Sequence, residues 1–183
     1  MAGPVVAAAV ILCRGRRLRG LADSKLLSEP RRERLYEAIR ARSLVWAVAW
    51  ADAAEIDRLN ILQATLLAMR RAILRLPSWP AVVEVDGDRL PDLEFGCFSP
   101  SGRAVIGGDG SVAAISAASI VAKVTRDRMM RDLDRQFPHY GFARHKGYAT
   151  EEHRACLDRY GPCRHHRRSF EPLRSMIVCG RMV

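Results

Sequence analysis

Two aspartates of this chain lie near the ends of short apolar stretches, and each precedes a glycine. Asp86 follows Ala81–Val85, and Asp109 follows Ala104–Ile106 and a Gly-Gly pair. If both stretches are strands of an open α/β sheet, the aspartates meet outside the carboxyl ends of the strands, where ligands bind in such sheets. Their oxygens could then hold a hard divalent cation, Mg²⁺ or Mn²⁺. An Asp-Gly pair is also common in a plain turn, so the spacing alone leaves both interpretations open.

Several other side chains belong to the types that bind phosphate and sugar, namely Lys25, Ser116, Ser119, Lys123, Lys146 and Tyr148. Basic side chains bind phosphates, and an aromatic ring stacks on a nucleotide. Each residue also has an ordinary structural explanation: a serine can pack a helix against a sheet, a lysine can be solvated, and a tyrosine can pack. We predict packing for Ser116, and both interpretations stay open for Ser119 and Lys123. From the residues alone, Tyr148 is more often a packing residue and Asp23-Ser-Lys25 is a surface turn.

The hydrophobic pattern predicts the α/β elements that would position these residues. Apolar stretches of strand length occur at residues 4–12, 44–51, 81–85 and 104–106. Amphipathic spacing and capping residues predict helices that begin after Ser28 and after Thr150, a long helix over 54–76 and another over 112–136. The last third of the chain mixes arginine, histidine and loops. We therefore predict an α/β body over residues 1–137 and a small helical, basic lobe over 138–183.

The charge balance favours a polyanionic partner such as nucleic acid. The formal net charge is +10 and the isoelectric point is about 10.1. Arginine supplies nearly all of the positive charge, including the basic turn Arg14-Gly-Arg-Arg17, and its planar guanidinium suits phosphate. A generally arginine-rich composition would give the same excess.

The cysteines and the opening residues bear on the cellular compartment. Five scattered cysteines (13, 97, 156, 163 and 179) without a secretory signal predict reduced thiols in a cytoplasmic protein. The apolar run near the start is too short to span a membrane. Cys163, His165 and His166 lack the spacing of a regular zinc finger, and we assign them to the basic lobe.

The stretch from Gly107 to Tyr148 resembles ribonuclease HII. The resemblance is carried by Gly-Gly-Asp-Gly, by Ser116-Ala-Ala-Ser-Ile-Val-Ala-Lys-Val-Thr-Arg-Asp127 and by His145-Lys-Gly-Tyr148, and it extends from Ala2 to Phe170. It implies a ribonuclease H-like mixed sheet flanked by helices. It also implies a metal-dependent endonuclease that cuts the RNA strand of RNA–DNA hybrids and single ribonucleotides in duplex DNA. Two metal ions, Mn²⁺ or Mg²⁺, would act in this reaction, leaving 5′-phosphate and 3′-hydroxyl ends.

The resemblance gives roles to individual residues. Asp86 and Asp109 match the third and fourth metal-binding carboxylates of the family and are the expected catalytic residues. Tyr148 matches the tyrosine that stacks on the sugar following the scissile phosphate. Lys25 belongs to the Asp-Ser-Lys turn that lies toward the backbone phosphate. The expected substrate-binding residues are Tyr148, Lys25, Lys146, Ser119 and Lys123. The enzyme is expected to be a monomer that does not associate with a membrane.

The sequence departs from the family at its beginning and at one glycine. The family's Asp-Glu pair and its Gly-Arg-Gly loop, which recognises the ribose 2′-hydroxyl, have no counterpart here, and Gly107 replaces a lysine. The absent strand is the central one, expected between Pro4–Leu12 and Ala81–Val85. Unpaired backbone groups at about 1–3 kcal/mol each would rival the stability of a whole domain.

We therefore expect the chain as written to be poorly folded and inactive, the simplest explanation being a start codon assigned too far downstream. The alternative is a non-catalytic remnant that only binds nucleic acid. Glu84 and Asp88 are further acidic residues near Asp86. We expect Glu84 to be exposed or paired to a helix rather than a metal ligand.

Overall fold

The computed structural model describes residues 1–13, 15–16 and 18–178. Arg14 and Arg17 of the predicted basic turn, and Cys179, lie outside the described residues. The described helices and strands follow in the order β1 (Val5–Leu12), α1 (Glu29–Arg42), β2 (Ser43–Ala51), α2 (Ala53–Leu59), α3 (Ile61–Leu74), β3 (Val82–Asp86), β4 (Ser101–Val105), α4 (Gly108–Ser111), α5 (Ala113–Gln136), a 3₁₀ turn (Pro138–Tyr140), α6 (Phe142–His145), α7 (Glu151–Tyr160) and α8 (Leu173–Val178).

The described strands form two ladders. β1 pairs with β2, and β3 pairs with β4 in parallel, with Asp86 opposite Val105. Parallel pairing places the carboxyl ends of β3 and β4 at the same edge, which is the edge predicted for the aspartates. β1 and β3, the strands expected to flank an absent central strand, belong to different ladders. Ala9 of β1 nevertheless packs against the apolar cluster of Ile73, Val83 and Val85.

The chain packs as two compact units. The sheet unit comprises residues 6–50 and 65–124, and the C-terminal unit comprises residues 1–5, 51–64 and 125 onward. In the sheet unit, the buried side of α5 contributes Ile120 and Val124 to a core with Ile39 of α1. In the C-terminal unit, Met130 and Phe142 pack with other buried residues that include Leu157 and Leu173. The domain boundary predicted at residue 137 stays a prediction.

The long helix predicted over residues 54–76 is wrong, because α2 and α3 are separate helices. Asn60 between them has a φ of 68°, a left-handed conformation that asparagine tolerates better than most residues. Its side-chain oxygen accepts a hydrogen bond from Gln63 N at 3.1 Å and so caps α3. The apolar periodicity continues through Asn60, so it does not reveal the break.

The other predicted elements hold with shifted ends. α7 begins after Thr150, whose hydroxyl accepts from His153 N at 3.2 Å. α5 begins at Ala113, and β4 runs from Ser101 to Val105, so Ile106 lies outside the strand and is 83% exposed. Among the described helices, none is both long enough and apolar enough to cross a membrane.

Candidate active site

The end of β3 and the start of α4 bring Asp86 and Asp109 together. Asp86 is exposed at the last position of β3, and its carboxylate accepts a hydrogen bond from Gly108 N at 2.9 Å. Gly107 precedes α4 with a φ of 65°, and no neighbouring atom would touch a side chain there. This left-handed residue turns the chain from β4 into α4. The Asp86 carboxylate is thus bonded to the turn that carries Asp109.

The electrostatics of Asp109 show that other charged groups lie close to it. Partial burial raises the pKa of Asp109 above its ordinary value, and the negative charges of Asp86 and Asp23 raise it further. Lys25 and a hydrogen bond from Gly110 N oppose that shift. Like charges that are held together disfavour ionisation. Three segments far apart in sequence therefore place carboxylates and an ammonium around one point of the sheet unit.

A serine pair fixes the Asp23-Ser-Lys25 turn beside α5. The Ser24 and Ser119 hydroxyls are 2.8 Å apart, and Lys25 N donates to the Asp23 carboxylate at 2.9 Å. Arg32 donates to Ser24 O at 3.1 Å. Lys25 itself is exposed, whereas Ser119 is half-buried. In this structure Ser119 holds the turn that presents Lys25.

Helix α5 carries two more of the predicted residues. Ser116 is buried, and its hydroxyl donates to the carbonyl of Asp109. The packing role predicted for Ser116 is therefore confirmed, and the contact also fixes the backbone of Asp109. Lys123 is half-buried one helical turn after Ser119.

Glu84 does not join the two aspartates. It stands opposite Arg103 in the β3–β4 ladder and forms an ion pair with that residue. The expectation of an exposed or helix-paired Glu84 is wrong: the side chain is half-buried and its partner lies on a strand, because the parallel register places Arg103 opposite it. Asp88 is exposed two residues beyond β3. Within the described ranges, no group of three or more His, Cys, Asp or Glu side chains is arranged to hold a metal ion.

Tyr148 and Lys146 belong to the C-terminal unit, in the loop after α6. The Tyr148 ring is 60% exposed, and the Arg126 guanidinium lies 5.4 Å from its centroid. Lys146 has a φ of 51°, and its ammonium donates to the carbonyl of Ala143 at the end of α6. The structure thus leaves the tyrosine ring open and engages the lysine with a helix end. A lysine near a helix C-terminus is stabilised by the negative end of the helix dipole.

The first residues of the chain also hold the loop that carries Tyr148. A side chain at Gly147, whose φ is 79°, would run into the carbonyl of Ala2. Ala2 N donates to Gly147 O at 3.1 Å, and Arg126 Nε donates to Pro4 O at 3.1 Å. Arg126 thus connects the first residues of the chain to the Tyr148 ring.

Three buried histidines of the C-terminal unit were not identified from the sequence as part of a site. His145, His153 and His166 are at most 8% exposed. His153 Nδ1 lies 2.8 Å from Tyr148 O, and His153 Nε2 lies 3.0 Å from His166 Nε2. The one sequence signal was the place of His153 three residues after the helix cap Thr150, which only predicts a backbone contact. Their contact with the tyrosine loop depends on tertiary packing.

The family model of ribonuclease HII matches residues 1–172. This chain belongs to the ribonuclease HII family. It is 55% identical over 177 residues to the ribonuclease HII of Albidiferax ferrireducens, an alignment that covers 97% of this chain and 83% of that relative. Members of this family are endoribonucleases.

Solved structures confirm the ribonuclease H-like fold. The ribonuclease H2 from Pyrococcus horikoshii OT3 superposes with a TM-score of 0.80 at 26% identity, over 100% of this chain and 93% of that one. The Bst-RNase HIII structure in complex with Mn²⁺ has a TM-score of 0.74 at 19% identity, over 98% of this chain and 66% of that one, and shows the fold alone. Both the family and the fold class predicted from Gly107 to Tyr148 are confirmed.

Proposed function

We propose that Asp86 and Asp109 bind divalent cations in an enzyme activity that hydrolyses the RNA strand of RNA–DNA hybrids and single ribonucleotides in duplex DNA. The products would carry 5′-phosphate and 3′-hydroxyl ends, as in a two-metal hydrolysis, and the protein would act as a cytoplasmic monomer. The observation that carries the proposal is the hydrogen bond from the Asp109 turn to the Asp86 carboxylate. This bond holds the turn that carries Asp109 against Asp86 at one sheet edge, in a member of an endoribonuclease family.

The residues at this edge fit Mg²⁺ or Mn²⁺. Their donor atoms are carboxylate oxygens, and Mg²⁺ in proteins is commonly held by one or two carboxylates, with water and substrate phosphate completing its shell. Asp86 is exposed and Asp109 half-buried, which leaves room for such a shell. Partial burial and the negative charges of Asp86 and Asp23 raise the pKa of Asp109, and a dication would offset those charges. A bound ion of this kind lowers the pKa of a water molecule and offsets charge on the reacting phosphate.

Groups in each of the two units would contact the nucleic acid. We assign Lys25 to a backbone phosphate, because it is exposed and lies near Asp109. Ser119 holds the turn of Lys25 through Ser24, and Lys123 follows on α5 as a second phosphate contact. Tyr148 offers an exposed ring for stacking on a sugar or base. Lys146 supports this loop through the end of α6.

The test is cleavage of a DNA duplex that contains one ribonucleotide, in Mn²⁺ or Mg²⁺, with an all-DNA duplex as control. Asp86→Asn and Asp109→Asn should each reduce cleavage by at least about 100-fold, because even outer-shell partners of a metal contribute about 10- to 100-fold. The matched control is Glu84→Gln, which removes a carboxylate from the same strand and should retain cleavage, because Glu84 pairs with Arg103.

The other outcomes of this experiment separate the alternatives. Cleavage by the 183-residue chain would contradict the expectation that the Asp-Glu strand is indispensable. Binding without cleavage, with an affinity that falls steeply with salt concentration, would support the non-catalytic nucleic-acid-binding alternative. Equal cleavage by the Asp86→Asn and Glu84→Gln variants would refute the metal assignment.

A further inference from the structure

A chain of hydrogen bonds through two buried histidines ends at the backbone of Tyr148. His153 and His166 are 0% and 2% exposed, and both lie in the C-terminal unit. Cys163 N donates to His166 Nδ1 at 3.0 Å, the two Nε2 atoms are 3.0 Å apart, and His153 Nδ1 lies 2.8 Å from Tyr148 O. We call this chain of contacts the histidine relay.

The partners at the two ends assign the proton positions along the histidine relay. A backbone N–H can only donate, so His166 Nδ1 accepts and, in a neutral ring, its Nε2 carries the proton. A carbonyl oxygen can only accept, so His153 Nδ1 carries the proton and its Nε2 accepts from His166. Every contact is satisfied only when both rings are neutral and each has the stated tautomer. Protonation of His153 places two donors against each other at the Nε2 pair, and protonation of His166 places its Nδ1–H against the Cys163 N–H.

The same loop is held from other directions, so its conformation is narrowly defined. The Tyr148 carbonyl also accepts from Thr150 N at 2.9 Å, and Tyr148 N donates to His145 O at 2.9 Å. The His145 ring stacks on His153 with centroids 4.3 Å apart. His145 in turn accepts from Gly147 N at 3.2 Å. Backbone contacts thus fix Tyr148 while its ring stays open.

We propose that His153 and His166 are positioning residues for Tyr148, which hold the tyrosine ring ready to stack on the ribonucleotide-containing strand. The proposal rests on the substrate role given to Tyr148 under the proposed function. An exposed aromatic side chain on a short loop loses conformational freedom when it stacks, and prior ordering of its backbone lowers that cost. His153 and His166 need not touch the nucleic acid, because they act through the Tyr148 carbonyl.

Burial, with a smaller contribution from nearby charge, keeps both rings of the histidine relay neutral. Burial lowers the pKa of His153 to about 4, with the charges of His145 and the Met1 amino group acting in the same direction. Burial likewise lowers the pKa of His166 to about 3, with His153, the Met1 amino group and His165 adding to the effect. Both rings are therefore neutral near pH 7, as the tautomers that hold Tyr148 require.

A double-mutant cycle on binding tests the proposal. The probe is a fluorescein-labelled DNA duplex with one ribonucleotide, and its affinity is measured by fluorescence anisotropy without a catalytic metal. Tyr148→Ala should weaken binding about 10-fold, which corresponds to about 1.4 kcal/mol of lost stacking. His153→Leu removes the contact to the Tyr148 carbonyl and should weaken binding by a similar factor. In the Tyr148→Ala background, His153→Leu should cause no further loss.

A conservative variant and a core variant separate positioning from stability. His153→Asn places an amide N–H where Nδ1 stood, so it keeps the bond to Tyr148 O and should bind the duplex like the parent chain. Leu173→Ala, which opens the same buried core, should leave the affinity unchanged at temperatures where all variants are folded. Additive losses for Tyr148 and His153, or a loss in Leu173→Ala equal to that in His153→Leu, would overturn the proposal. If Tyr148→Ala binds normally, the substrate role of Tyr148 fails, and the positioning proposal fails with it.

The histidine relay can also be measured without nucleic acid. Nitrogen-15 NMR of the imidazole rings distinguishes the two neutral tautomers from the doubly protonated ring. Near pH 7 we expect His153 to carry its proton on Nδ1 and His166 on Nε2. The opposite tautomer at His153 would overturn the proposal whatever the binding data show.

Discussion

Lowering the pH from about 7.5 to about 5 should destabilise the fold, because His153 and His166 are buried as neutral rings. Their pKa values of about 4 and about 3 lie below the ordinary value of 6.5. Between these limits the unfolded chain binds protons that the folded chain does not, so stability rises with pH in that window and is lost as the pH falls. The stability that the two neutral histidines allow is fully present above pH 6.5.

The size of the stability loss at pH 5 follows from the ordinary histidine pKa in the unfolded chain, because both rings stay neutral in the folded chain. A histidine of pKa 6.5 in the unfolded chain that stays neutral in the folded one costs about 2 kcal/mol at pH 5. Two such rings cost about 4 kcal/mol, which is a large part of the about 5–15 kcal/mol that stabilise a typical domain. Other groups near the rings also titrate, which makes a variant without the two histidines necessary as a reference.

The assay is urea unfolding followed by circular dichroism at both pH values. The reference is a double variant, His153→Asn with His166→Asn. Asparagine at these positions can keep the outer contacts to Tyr148 O and Cys163 N, and it does not titrate. The parent chain should lose about 4 kcal/mol more than the double variant between the two pH values. Parallel losses in the two proteins, or histidine NMR titrations near pH 6.5 in the folded parent, would refute the reasoning.

Three further substitution pairs test the fold. Asp52→Ala removes the capping box of α2 and should lower the free energy of unfolding by about 1 kcal/mol, while Asp52→Asn should retain most of it in the same urea titration. Ile120→Ala in the core of the sheet unit should lower the free energy of unfolding by about 2–5 kcal/mol, whereas Leu26→Ala at an exposed position should change it by less than about 0.5 kcal/mol. Gly107→Ala should lower the free energy of unfolding by about 1–2 kcal/mol, because Gly107 has a left-handed φ. Gly110→Ala, inside α4, should not lower it. Equal shifts in the thermal unfolding temperature of the two variants would contradict the strain argument.

Local patterns were sufficient for the family, the fold class and most elements. The motifs from Gly107 to Tyr148 predicted the ribonuclease HII family, which the family match confirms. Asp86 was placed at the end of a strand from its apolar neighbours alone, and the structure has it at the last position of β3. Such features depend on residues that are close in sequence, so the sequence shows these features directly. The metal and substrate roles of the predicted site residues stay predictions.

Local patterns failed where one residue overrides its neighbours. The apolar spacing over residues 54–76 is compatible with a single helix, yet Asn60 adopts a left-handed conformation and starts a second one. Periodicity measures which side of a helix is buried, and it is insensitive to the backbone angles of one polar residue.

The sequence by itself determined the residue types that do chemistry and the elements that carry them, and only the tertiary structure decided which of them act together. Ser24 and Ser119 are 95 positions apart and share a hydrogen bond, and the Met1 amino group binds a carbonyl 146 positions away at Gly147. His153 similarly meets Tyr148 and His166 through the folding of a loop around buried rings. The physical reason is that a buried polar group must find a partner wherever packing brings one, and packing joins residues that no local pattern connects.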